Sequence, residues 1–232
     1  MKNAATHAKR FDSLIKPVRK QVPELPAAPG ADPVTQLVIG FLEWNASRAA
    51  AETALAKLMH VLVDNNDLRV SHPHEVIALI GERYPRADER AARLHDVLQS
   101  IFDRQHLVSL DTLKDKSKKD VRAYLDSLPG IVPYVSAQTA LLGFGVHAIP
   151  VDDAMLALLE DQGAVEEGAT VIEAESFLEK HVKAGEAVEV HHAMRAWADT
   201  SAGKPSASRS RSAGKSDGRA GAARKPKTAK HR

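Results

Sequence analysis

Two short stretches carry residue types whose spacing could do chemistry: Leu128-Pro129-Gly130-Ile131-Val132-Pro133, and the carboxylate pair Asp152-Asp153 after Val151. Gly130 can take positive φ and reverse the chain between two helices. Pro133 lacks only a donor that the first helical turn leaves unpaired in any case. Backbone N–H groups at the start of the second helix then face outward, a ready seat for a phosphate. Asp152 or Asp153 stands where it can cap the next helix and face a cleft; its plainer role is that of a cap and nothing more. His191 and His192 are adjacent on a helix, so their side chains diverge by about 100° and do not readily share one ion. One of them is expected to pack inward, and no metal site is read from side chains. His72 and His74 beside Pro73 read as a solvated helix start.

The elements that position these residues are helical. Asp32-Pro33 combines a capping acid with a proline in the first turn, and Leu37, Phe41 and Trp44 follow on one face. Burial of Trp44 is the expectation, with stacking on a base as its alternative. Ser71 to Glu75 starts a helix that Tyr84-Pro85 should break. Ala91, Leu94, Leu98, Ile101 and Phe102 form one stripe of a long amphipathic segment. A short element is expected around Leu110 to Leu113, then a helix capped by Ser117 with Val121, Tyr124, Leu125 and Leu128 inward. Nothing alternates with period two over a sheet-sized length, so the reading is all-α, with nine or ten helices. Residues 1–31, with Pro17, Pro23, Pro26 and Pro29, read as an extended lead-in. Residues 32–200 read as the folded domain, and residues 201–232 as a basic tail.

Charge is distributed unevenly. The chain holds 32 basic and 30 acidic residues, yet residues 201–232 contain ten Lys/Arg against one acid, Asp217. That leaves 22 basic and 29 acidic residues in the rest. A net-acidic body thus carries a cationic appendix: Lys204, Arg209, Arg211, Lys215, Arg224, Lys225 and Lys227 are candidate nucleic-acid contacts. Lacking large apolar residues, the tail is expected to be disordered when free. With no cysteine, neither a disulfide nor a cysteine-ligated zinc or iron–sulfur cluster can form. The N-terminus lacks the apolar stretch of a secretion signal. No apolar run approaches the roughly 18 residues of a membrane span. The expectation is a cytoplasmic, nucleoid-associated monomer with no membrane partner.

Taken in order, LPGIVPYVSAQTALLGF and IPVDDAML resemble the helix-hairpin-helix and Gly/Pro-Asp segments of the endonuclease III (HhH-GPD) DNA glycosylase superfamily. DPVTQLVIGFLEWNASRAAAETALAKL is similar to that family's early helix pair, and AVEVHHAMRAWAD to its helix bearing a His-His pair. The resemblance covers roughly residues 32–200 and implies an all-helical, two-lobed fold. It implies double-stranded DNA as partner and hydrolysis of the N-glycosidic bond of an extruded base. Asp152 takes the place of the catalytic aspartate, which stabilises positive charge on the sugar. Leu128, Pro129, Gly130, Ile131 and Val132 take that of the hairpin gripping the DNA backbone, in some members through a monovalent cation. Asn45 lies near the polar residue that fills the gap left by the flipped nucleotide.

Three departures bear on activity. Tyr134 stands where bifunctional members place a Schiff-base lysine, so the implied enzyme is a monofunctional glycosylase. Tyr134 then either lines the pocket or simply packs. Val132 replaces the hairpin's second glycine, and its β-branched side chain should hinder approach of a phosphate. The cluster cysteines of many members are missing. The rival reading is a catalytically silent helix-hairpin-helix DNA-binding protein, and a third is a structural helical domain with a binding tail. The glycosylase reading requires an open cleft between Tyr134 and Asp152; a carboxylate sealed from solvent would remove its basis.

Overall fold

The computed structural model describes residues 2–20 and 32–201. Eleven α-helices occur among them: α1 Ala4–Arg19, α2 Pro33–Glu43, α3 Arg48–Val61, α4 Asn65–Val70, α5 Pro73–Ile80, α6 Ala87–Gln105, α7 Lys118–Asp126, α8 Pro133–Phe144, α9 Asp153–Asp161, α10 Val171–His181 and α11 Ala187–Ser201. Short 3₁₀ turns lie at Asp111–Leu113 and Ala184–Glu186. No strand is present among the described residues. The starts follow local chemistry. Asp32 accepts from the N–H groups of Val34 and Thr35, Ser47 from Ala50, Ser117 from Asp120, and Thr170 from Glu173. Each satisfies a donor that a helix end leaves unpaired.

Two apolar clusters form the core. Helices α2 to α7 bury Leu37, Phe41, Trp44, Leu58, Leu98, Ile101, Leu125 and their neighbours in one. Helices α1, α9, α10 and α11 bury Phe11, Ile15, Met155, Leu178, Met194 and Trp197 in the other. Helix α8 is the shared wall, giving Val135 and Ala140 to the first cluster and Ala137 and Leu141 to the second. It needs no polar face: apart from its N-terminal proline, Tyr134 through Leu141 are all buried. Gly40 lets α2 approach α8 closely, since a Cβ there would stand 3.3 Å from Val135 Cγ1.

Two sequence expectations are corrected. Residues 4–19 are helical rather than an extended lead-in. Phe11, Leu14, Ile15 and Val18 recur at helical spacing and pack on the C-terminal lobe, which outweighs the cost of Pro17 near the helix end. Residues 21–31 and the tail beyond Ser201, including Lys204, Arg209, Arg211, Lys215, Arg224, Lys225 and Lys227, lie outside the described residues. The helix after Pro73 stops at Ile80 rather than at Tyr84, because Gly81 adopts φ +107° as its C-cap. With α1 and α4 added, the helices outnumber the nine or ten expected.

Candidate active centre and DNA-binding hairpin

The hairpin is built as its residue types require. Helix α7 ends at Asp126, Leu128 turns inward, and Ile131 N–H closes the turn on the Leu128 carbonyl at 3.2 Å. Gly130 sits at φ +82°, and a Cβ there would meet the Arg93 carbonyl oxygen at 2.9 Å. Both the dihedral and the crowding therefore demand glycine. Pro129 is exposed, while Gly130 and Ile131 are partly so. Leu128 and Val132 are buried in the first core cluster, so any DNA contact they make falls to their backbone. The Val132 side chain points inward, so it does not obstruct a phosphate as its β-branching suggested.

Asp152 is the N-cap of α9, held there by the extended link that crosses between the lobes. Its Oδ1 accepts from Met155 N–H at 2.8 Å. Oδ2 accepts from Asn45 N–H at 2.9 Å and from Arg195 Nη1 at 3.1 Å. The side chain is 1% exposed and that of Arg195 4%. The carboxylate is sealed, contrary to the expected open cleft. Arg195 also donates from Nη2 to the carbonyls of Glu43 (3.3 Å) and Ala46. One guanidinium thus ties α11 to the α2–α3 loop and to α9.

Asn45 belongs to that loop, at φ +52°, a left-handed conformation that costs a non-glycine residue about 1–2 kcal/mol. The cost is offset by three bonds: its N–H to Asp152, its Nδ2 to Asp153 Oδ2 at 3.1 Å, and its Oδ1 accepting from Ala154 N–H at 3.1 Å. The structure therefore brings Asn45 and Asp152 together, but as lid and lidded group. Tyr134 is 1% exposed, so it lines no open pocket. Its hydroxyl lies 3.5 Å from Glu43 Oε2, and burial holds its pKa well above the ordinary phenol value.

Sequence reading passes over Glu43 and Arg195, which complete the centre. Glu43 is almost buried at the end of α2 and accepts from Gln138 Nε2 at 2.8 Å. Burial raises its pKa, with Arg195 and Gln138 pulling the other way. Burial works against the charge on Arg195, but Tyr134, Asp152 and Glu43 outweigh it and push its pKa up. A sequence signal existed for both: each is a charge flanked in sequence by apolar residues, Leu42-Glu43-Trp44 and Met194-Arg195-Ala196-Trp197. His191 is the inward member of its pair. Burial, then the charges of His192 and Arg195, hold its pKa well below the usual value, so it is neutral. Trp44, 5% exposed, is core as expected, with the guanidinium of Arg86 at 4.9 Å from its ring. Chemically, the centre is a neutralised ion pair under a loop.

Neither a scan of protein-family models nor a search of curated proteins returns a match. Solved structures do match. A trapped endonuclease III–DNA covalent intermediate is similar at TM-score 0.63 and 18% identity, over 81% of this chain and 84% of that one. A thermostable thymine-DNA glycosylase is similar at TM-score 0.60 and 16% identity, over 84% and 87%. The H. pylori 3-methyladenine DNA glycosylase MagIII bound to 1,N6-ethenoadenine is similar at TM-score 0.61 and 16% identity, over 86% and 99%. Identities this low speak to architecture, and at that level the chain has the all-helical, two-lobed fold of the HhH-GPD DNA glycosylases.

Proposed function

We propose that this chain is a DNA-binding protein on a glycosylase scaffold. In this reading it grips duplex DNA as a monomer through the α7–α8 hairpin, resides with the nucleoid, and no longer excises bases at Asp152. The likeness to an endonuclease III whose solved complex contains DNA supports the binding. So does a hairpin whose partly exposed Pro129-Gly130-Ile131 turn leads into the N-terminus of α8. No helix among the described residues is long and apolar enough to cross a membrane.

One observation carries the loss of excision: the Arg195–Asp152 pair. A carboxylate assists N-glycosidic hydrolysis by facing the positive charge that grows on the sugar. Here a guanidinium 3.1 Å away opposes that field with a full positive charge of its own. Removing one partner of a buried pair costs about 3–5 kcal/mol, so freeing Asp152 is a large barrier to add to a reaction.

A second reading has its own support. Asn45, which seals Asp152, lies near the position the resemblance assigns to the residue entering the DNA. Inserting it would draw the loop off the carboxylate and open a monofunctional glycosylase of base-excision repair. Tyr134 in place of the lysine leaves water as the nucleophile. Duplexes carrying single modified or mismatched bases, assayed with and without subsequent alkali, separate the two. The silent reading expects binding without strand breaks in either arm. Alkali-dependent breaks lost in Asp152→Asn would overturn it in favour of the glycosylase, and breaks without alkali would overturn both.

A further inference from the structure

The resemblance allows for a monovalent cation among the hairpin carbonyls, but two of those carbonyls already face a guanidinium, whose charge disfavours one. Gly130 O accepts from Arg93 Nη1 at 3.2 Å, and Ser127 O from Arg104 Nη2 at 2.9 Å. Both arginines lie on α6, about three turns apart and so on one face. Neither position is accidental. Arg93 is aimed from behind by Glu89 Oε1, which accepts its Nε at 2.9 Å, and its backbone is pressed against Gly130. Arg104 also donates from Nη1 to Ser127 Oγ at 2.9 Å, and its guanidinium lies over the Tyr124 ring at 5.1 Å. Leu128 O, between the two, accepts from Ile131 N–H, and Val132 O from Ser136 N–H, which leaves each one lone pair.

We infer that Arg93 and Arg104 replace a metal cation at this hairpin, so that its grip on DNA needs no monovalent metal ion. The inference rests on the DNA-binding reading. A guanidinium at a carbonyl supplies the positive charge that a seated potassium or sodium ion would bring, and like-charge repulsion keeps such an ion away. The side chain of Arg93 is 37% exposed, so it can meet a phosphate while still bonded to the turn.

The test uses the full chain and two readouts. Duplex affinity is measured at equal ionic strength in potassium, sodium and tetramethylammonium chloride. The expected Kd is the same in all three to within about twofold. Arg93→Gln/Arg104→Gln should weaken binding by roughly tenfold or more, while Arg93→Lys keeps most of it. Separately, thallium(I) NMR reports cation binding without DNA. The native chain should show no saturable, potassium-competable site, and the double variant should acquire one. Circular dichroism confirms that the variants fold. A Kd that collapses in tetramethylammonium, or a saturable thallium site in the native chain, overturns the inference. Absence of DNA binding in every salt defeats the underlying reading instead, and the thallium result still decides who holds the carbonyls.

Discussion

Asp152 shows how one residue can satisfy two descriptions at once. As an N-cap it needs only Met155 N–H. As a buried anion it also needs a countercharge, and Arg195 provides it. Another buried carboxylate, Glu175 on α10, bonds the residue that precedes Asp152. It accepts from Val151 N–H at 3.2 Å, and Arg122 Nη2 stands 3.9 Å away, while Glu179 and Asp126 oppose its charge. Burial pushes its pKa from 4.5 to about 7, and the Val151 bond and Arg122 recover only part of the shift. The folded state then holds a proton that the unfolded state has released between about pH 4.5 and 7. Stability from this group therefore falls as pH rises through that window. Glu175→Gln should remove the dependence, gaining up to about 3 kcal/mol over the native chain at pH 8 relative to pH 4.5. Thermal melts of both proteins at the two pH values check this; parallel shifts would refute it.

Among the elements, α8 and α1 stand at opposite extremes of legibility. Capping residues, Gly130 and the apolar run of α8 announce themselves locally, because proline and glycine act through their own dihedrals. Helix α1 does not. Its proline and charges mask a stripe whose only reason for folding is the lobe it covers, in sequence terms far away. Arg19 bridges to Glu189 on α11, and His181 on α10 meets Asp12 at 2.8 Å. If the docking is part of the fold, Phe11→Ala should cost about 3–5 kcal/mol in denaturant unfolding. Exposed Lys16→Ala should stay within about 0.5 kcal/mol. A Phe11 effect no larger than that of Lys16 would mean that α1 is dispensable.

For the whole molecule the decisive feature is charge asymmetry. The acidic excess ahead of the tail repels a polyanion at long range, and the ten basic residues beyond Thr200 offset it. Each phosphate neutralised releases counterions, with a slope of about −0.9 per contact in log K against log salt. Truncation at Ser201 should therefore flatten that slope by several units and weaken binding most at low salt. An unchanged slope, read by fluorescence anisotropy across a salt series, would leave the hairpin as the sole electrostatic contact.

The sequence by itself determined the helical class, most helix starts, the hairpin turn and the order of motifs that marks the fold, because these depend on local dihedrals, caps and a 3.6-residue period. It could not decide whether Asp152 is open or closed. That outcome depends on Arg195 and Asn45, far apart in the chain, reaching the same oxygen atom. Only packing of α11 against the α2–α3 loop brings them there, and burial then converts two ordinary charged side chains into a closed ion pair beneath a strained loop.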